Sequence, residues 1–314
     1  MFLTGFADEA GRDLESQIRA TLELKWNHID IRLIGDTFFG MLPEAEFEHL
    51  CARLSENNIT VNCYGSSIAN GETLLFSREH YERSRQDLIQ AIPRMKKLGI
   101  PMLRGMSFRR AKGDPDTPEI RKYVFEKVNE FVDICADNGI IYAHENCCNY
   151  GGCSFEHTLR LLDNIRHKEA FTLIFDTGNT VGAMDRRGCD YSRRQSSWEF
   201  YRNIRDFVSY VHIKDGTAFV LPDGTVQPPE YCFPGDGEGD VRAILLDLLR
   251  RNYDGGFCME PHMIMPPKVE LGEAEKKAWA EKRYKTYIGF ARRFEKLLAS
   301  CREQIEAEKQ GILL

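Results

Sequence analysis

Four short apolar runs in the second half of the sequence each carry a side chain able to hold a metal ion at or near the end. Ile140-Ile141-Tyr142-Ala143-His144-Glu145 ends on a carboxylate, and Thr172-Leu173-Ile174-Phe175-Asp176 on another. Tyr210-Val211-His212-Ile213-Lys214-Asp215 carries an imidazole, and Phe257-Cys258-Met259-Glu260 closes on a third carboxylate. A buried strand that finishes on a charge suffers a desolvation penalty that a shared cation would offset. Glu145, Asp176, His212 and Glu260 therefore form a candidate ligand set. Three carboxylates with one imidazole make a hard, oxygen-rich site, suited to Mn²⁺ or Mg²⁺, with Co²⁺ and Zn²⁺ as alternatives. Period-two alternation puts Lys214 on the His212 face, so its ammonium can lean towards a substrate.

For these groups to meet, the runs must lie side by side with their ends at one edge. Strand-like segments are predicted at Leu3 to Ala7, Ile29 to Leu33, Ile59 to Tyr64, Pro101 to Met106, Ile140 to Glu145, Phe171 to Asp176, Val208 to Lys214 and Gly256 to Glu260. Amphipathic stretches alternate with them: Leu14 to Lys25, Glu44 to Asn57, Arg78 to Leu98, Glu119 to Asn138, Phe155 to Ile165, Ser197 to Phe207, Val241 to Arg251, and a last one from about Glu273. Gly99 and Gly139 supply left-handed stops. The strands are continuous apolar runs more than clean alternations, as in parallel sheets covered on the outside by helices. Eight βα units without a composition break predict one (β/α)₈ TIM barrel over residues 1–314. Such barrels work at the carboxyl ends of their strands, where the four candidates fall. The Gly/Pro-rich stretch from Pro222 to Gly239 then reads as a long loop over the site.

The net charge of 42 − 48 = −6, with both signs mixed, argues against nucleic-acid or anionic-membrane partners. No apolar run reaches the length of a membrane span, and a cytoplasmic location is expected. Of the ten cysteines, Cys51, Cys63, Cys135, Cys258 and Cys301 stand singly in apolar or helical segments. Cys147, Cys148 and Cys153 cluster without zinc-type spacing, and reduced thiols are expected.

His144-Glu145-Asn146, Asp176-Thr177-Gly178-Asn179, His212-Ile213-Lys214-Asp215, Gly235-Asp236-Gly237-Glu238-Gly239 and Glu260-Pro261-His262 resemble the xylose-isomerase-like TIM-barrel superfamily of sugar isomerases and epimerases. The resemblance implies that Glu145, Asp176, His212 and Glu260 hold a single divalent metal, with Glu145 and Glu260 moving protons on opposite faces of the substrate. Two positions depart from the ketose epimerases: Asn179 stands where they have His, and Ala218 where they tend to have Arg. Gly5-Phe6-Ala7-Asp8-Glu9-Ala10 and Ser66-Ser67-Ile68-Ala69-Asn70, with the strings above, resemble more narrowly the α-subunits of bacterial C-glycoside deglycosidases. That narrower resemblance implies manganese, a 3-keto C-glycoside substrate and a small β-subunit partner. A stand-alone ketose isomerase or 3-epimerase is the competing reading. A non-catalytic sugar-binding barrel and an apurinic endonuclease are remoter ones.

For proton transfer, His144 and His262 join the two glutamates as candidates. Alternation turns His144 away unless the strand has already ended, and His262 joins Glu260 only if the chain stays extended through Pro261. Lys214, Asn179, Arg32 and Arg104 are candidate substrate contacts. For the two arginines, a salt-bridge layer lower in the barrel is an equal alternative to contact with sugar hydroxyls at the mouth. Phe38 and Phe39 either wall the site or pack beneath their loop.

Overall fold

Each strand of the computed structural model buries both faces, one on helices and one on the barrel interior. The structure describes residues 1–70, 75–110, 113–187, 193–222, 225–265, 267 and 269–311, so positions 223 and 224 of the expected long loop lie outside the described residues. Eight strands form one sheet: β1 (Phe2–Gly5), β2 (His28–Ile31), β3 (Thr60–Tyr64), β4 (Met102–Gly105), β5 (Ile141–Glu145), β6 (Phe171–Asp176), β7 (Val208–Ile213) and β8 (Gly256–Met259). Neighbours in sequence pair in parallel from β2 to β8, and β8 pairs back onto β1. A parallel bridge between Phe6 and Asp30 brings β1 to β2 and nearly closes the ring. The expected (β/α)₈ TIM barrel is the observed architecture.

Among the described residues, eight α-helices cover it: α1 (Leu14–Glu23), α2 (Glu44–Glu56), α3 (Arg78–Leu98), α4 (Pro118–Ala136), α5 (Phe155–Asn164), α6 (Ser197–Ile204), α7 (Val241–Arg250) and α8 (Glu273–Lys309). Side-chain caps define several starts: Asp13, Ser77, Thr117, Ser154 and Ser196 each accept a backbone N–H from the first turn. Each such cap stabilises its helix by about 1 kcal/mol. Gly99 (φ 67°) caps α3 and Gly139 (φ 68°) follows α4, both left-handed as the sequence requires.

Between sheet and helices lies the main core, with Leu103, Tyr142, Leu173, Phe175, Val211 and Phe257 facing outward onto helical residues such as Val128, Phe131, Tyr201 and Phe290. A smaller inner cluster of Phe6, Cys63, Ala143, Ile174, Tyr210 and Cys258 plugs the barrel. The strand face thus switches at every residue. Ala143 and Glu145 point in, Tyr142 and His144 out.

Two local features differ from expectation. β7 ends at Ile213 rather than Lys214, because the Lys214 N–H turns to the Thr177 hydroxyl at 3.1 Å. The stretch after it contains an antiparallel ribbon of Asp215–Thr217 with Glu230–Cys232. Among the described residues no helix is long and apolar enough to cross a membrane.

Candidate metal centre

At the carboxyl mouth of the barrel, the ligand atoms of Glu145, Asp176, His212 and Glu260 all lie within 4.8 Å of one another, and all four residues are buried. Glu145, Asp176 and His212 sit at the ends of β5, β6 and β7. Glu260 is the first residue beyond β8, its N–H held by the Ile213 carbonyl at 3.0 Å. His212 Nδ1 stands 3.4 Å from Glu145 Oε1 and 3.4 Å from Glu260 Oε2.

The site is built to leave acceptors free. Asp176 Oδ1 accepts the N–H groups of Gly178 and Asn179, both at 2.8 Å. Asp176 Oδ2, Glu145 Oε2, Glu260 Oε2 and His212 Nδ1 are buried without a hydrogen-bond partner. Buried acceptors are ordinarily satisfied, so four converging exceptions fit a divalent cation with oxygen and nitrogen ligands. Lys214 comes closest to compensating them: Nζ lies 2.9 Å from Asp176 Oδ2 and 3.1 Å from Glu260 Oε2. Those contacts are ion pairs without hydrogen-bond alignment.

Electrostatics show the same tension. Burial pushes the Glu145 carboxyl up, but Arg104 and His212 outweigh it and hold it at about 2. Glu260 is likewise raised by burial yet held well below the usual range, chiefly by Lys214. Asp176, buried beside two other carboxylates, rises to about 6 despite Lys214. His212 is lowered by burial but carried to about 9 by Glu145 and Glu260. Three crowded carboxylates, one of them resisting ionisation, are a site short of positive charge.

Around this core, Asn146 clamps β6: its Oδ1 accepts the Asp176 N–H at 2.7 Å and its Nδ2 donates to the Asp176 carbonyl at 3.0 Å. Asn179 Nδ2 donates to Glu145 Oε1 at 2.8 Å, and its Oδ1 accepts from Lys214 Nζ at 3.2 Å. Asn179 and Lys214 thus stand beside the carboxylate cluster. Arg32 and Arg104 also reach it, by way of the ligands. Arg32 Nη1 donates to Glu260 Oε1 at 2.8 Å, and its other nitrogens engage Asp8 and Glu9. Arg104 Nη1 lies 3.3 Å from Glu145 Oε2. Both guanidinium groups stack over the Phe6 ring, at 4.6 and 5.3 Å. Both arginines therefore stand at the mouth, ion-paired with its carboxylates, and not in a layer lower in the barrel.

The two histidines part company. His144 faces the helical layer: Nε2 meets the Ser107 hydroxyl at 2.9 Å, and the ring stacks on Phe171 at 6.1 Å. Because β5 runs through Glu145, alternation turns His144 out of the site. His262 does stand at the mouth, although by a different route from extension. Its φ is +52°, so the chain turns after Pro261. The turn leaves Nε2 3.8 Å from Glu260 Oε1. Phe39 is fully buried against Phe47 and Tyr64, so it packs beneath its loop.

Sequence reasoning assigned no role to Asp8 and Glu9, which follow β1 and meet Arg32 and His262. The signal was the same one used elsewhere, an apolar run closing on acids. It also missed what the glycines of Gly235–Gly239 do. The N–H groups of Gly216, Gly235, Gly237 and Gly239 all donate to the Asp215 carboxylate at 2.8 to 3.1 Å. An added Cβ at Gly237 would stand 2.4 Å from Asp215 Oδ1. The glycines wrap a carboxylate of the chain itself, and that carboxylate pins the loop beside Lys214.

Residues 18–283 match the family model described as xylose isomerase-like TIM barrel, and the chain belongs to that family. Its fold is similar to that of a xylose isomerase-like TIM barrel protein from Mycobacterium smegmatis in complex with magnesium, with a TM-score of 0.64 and 16% identity over 95% of this chain and 97% of that one. A D-tagatose 3-epimerase-like protein shares 16% identity with a TM-score of 0.68, over 97% of this chain and 100% of its own. An IOLI protein with a bound zinc atom shares 14% identity with a TM-score of 0.67, over 96% of this chain and 99% of its own. No curated protein matches the chain.

Proposed function

We propose that this chain is a divalent-metal-dependent enzyme acting on sugars by proton transfer at a carbon next to a carbonyl. The observation that carries the reading is the convergence of four unpartnered ligand atoms, from Glu145, Asp176, His212 and Glu260, at the barrel mouth. A divalent cation there, for which the hard ligand set favours Mn²⁺ or Mg²⁺ over Co²⁺ and Zn²⁺, would supply Lewis-acid polarisation of a carbonyl–hydroxyl pair. The residues of the chain do the rest. Glu145 and Glu260 come from strands separated by β6 and β7, so one removes the proton and the other returns it. Lys214 Nζ donates a hydrogen bond to a substrate oxygen, and Asn179 holds Glu145 in place. Ketose isomerases and 3-epimerases do this chemistry. The D-tagatose 3-epimerase-like neighbour agrees with that class.

A second, finer reading is the α-subunit of a C-glycoside deglycosidase with a small β-subunit partner. It is favoured by His262, an extra group near Glu260 that is available for the second proton transfer such cleavage needs. In a 3-keto C-glycoside, removal of the C2 proton supplies the electrons of a C1–C2 double bond while the C1–aglycone bond breaks. The departing aglycone carbon then takes up a proton. The nine described cysteines are all free, which suits a cytoplasmic setting.

The deciding experiment incubates the chain with Mn²⁺ or Mg²⁺ and a ketohexose panel including D-tagatose in D₂O, following solvent exchange by NMR. Deuterium incorporation with isomer formation is expected. Inertness towards every ketose, with aglycone release from a 3-keto C-glycoside, would move the assignment to the lyase. Inertness towards both, with metal bound, would overturn the enzymatic reading.

A further inference from the structure

His262 is held at the mouth in a conformation that ordinary residues avoid. Its φ of +52° is left-handed, a strained conformation for a non-glycine residue that the surroundings must sustain. Glu9 sustains it from both sides. Glu9 Oε2 accepts the His262 backbone N–H at 2.7 Å, and Oε1 stands 2.7 Å from His262 Nδ1. Glu9 is itself fixed: Arg32 Nη2 donates to Oε1 at 3.3 Å, and Arg283 Nε of α8 donates to its backbone carbonyl at 3.0 Å.

These contacts determine which ring nitrogen carries a proton. The Glu9 carboxylate already accepts from the His262 N–H and from Arg32; an ionised carboxylate is acceptor-only, so Nδ1 at 2.7 Å is the donor of the third contact. The other nitrogen, Nε2, is 3.8 Å from Glu260 Oε1, too far for a hydrogen bond. Arg32 already donates to that oxygen at 2.8 Å. Tyr231 meets the ring edge-on, with centroids 5.5 Å apart, and closes its other side. With Nδ1 engaged by Glu9, Nε2 is the ring nitrogen left facing the mouth, beside Glu260, whose Oε1 is already taken by Arg32.

We propose that Glu9 is a positioning residue that locks His262 with Nδ1–H donated to its carboxylate, so that Nε2 accepts a hydrogen bond from a hydroxyl of a polyhydroxylated substrate. This inference rests on the sugar reading above for its ligand class. It adds an acceptor that fixes which hydroxyl lies beside Glu260.

The test uses the full chain, labelled with ¹⁵N-histidine, loaded with Mg²⁺ and observed by long-range ¹H–¹⁵N correlation at pH 8. Loss of one spin system in His262→Gln assigns the ring. A protonated Nδ1 and a pyridine-type Nε2 are expected, with Nε2 moving towards the hydrogen-bonded range on addition of D-tagatose or another ketohexose. Glu9→Gln, with Mg²⁺ binding retained as the check on folding, loses the Nδ1–H preference. In turnover, His262→Gln, whose amide oxygen reaches the Nε2 position, raises KM less than His262→Asn does. His262→Asn, which reaches only the Nδ1 position, raises KM about tenfold with less effect on kcat, the loss of one neutral hydrogen bond. A protonated Nε2, or an Nε2 signal indifferent to every sugar, overturns the proposal. An Nε2 that responds to sugar in a chain that exchanges no deuterium keeps the proposal and removes the isomerase reading. The converse result removes the proposal alone.

Discussion

His144 offers a test of the layer between sheet and helices that does not depend on the metal. The ring is almost fully buried, stacked on Phe171, with Nε2 on Ser107 and Nδ1 without a partner. Burial lowers it from 6.5 to about 4. A histidine depressed on folding contributes stability that is complete above its unfolded value and is lost as pH falls towards the folded one. The difference of roughly 2.5 units corresponds to about 3 kcal/mol once pH passes below 4, and about 2 kcal/mol is already gone at pH 5. Other groups titrate nearby. His157 falls to about 4 by burial, with the same sign. Asp176, raised to about 6, works in the opposite sense over part of the window. Glu145 at about 2 acts only in stronger acid. Urea unfolding of the parent and His144→Gln, in chelator from pH 7.5 to 4.5, cancels these shared terms to the extent that they are independent of the substitution. The parent should lose about 2 kcal/mol more than the variant on going to pH 5. Parallel curves would mean that the ring titrates normally. The reasoning from burial, and with it the outward placement of His144, would then fail.

Glu145→Gln and Glu260→Gln should each lower turnover by about 10²- to 10⁴-fold, the usual worth of a positioned base. Metal occupancy, read by elemental analysis, should fall in both; full activity in either variant would remove it from the proton-transfer pair. Mg²⁺ or Mn²⁺ at a hundred times its Kd should stabilise the chain by about 2.7 kcal/mol, roughly 5 °C in a melt. Asp176→Ala should abolish that shift, whereas an unchanged shift would place the ion elsewhere. Gly237→Ala puts a methyl group 2.4 Å from Asp215 Oδ1 and 2.5 Å from the Gly216 carbonyl. It should cost about 1–3 kcal/mol in urea unfolding through overpacking. An unperturbed stability would show that the glycine wrap around Asp215 is dispensable.

The candidate ligand set was legible because it is a property of strand ends. An apolar run must be buried, and the charge that ends it must find a partner; β5, β6, β7 and β8 each declared one such group. The eight-unit barrel followed from the same local periodicity, with Gly99 and Gly139 marking helix ends by their backbone freedom. Lys214 was legible too, since two residues along a strand return to the same face. His144 shows the limit of that logic. Alternation already turned it outward, and only the register of β5, running through Glu145, decided the matter.

What local pattern could not supply was contact between groups far apart in the chain. Arg32 meets Glu260 across 228 residues, and His262 meets Glu9 across 253. The first half of the chain therefore furnishes Arg32, Arg104 and the Glu9 clamp for a site whose candidate ligands, with Lys214, the second half carries. Closure of the ring through β1 and β8 makes these meetings possible. The identity of the metal-capable groups is written in the order of residues along each strand. Their partners depend on which strands become neighbours and on a turn at His262 that runs against its intrinsic preference. Such a conformation persists only because tertiary contacts hold both its backbone and its ring.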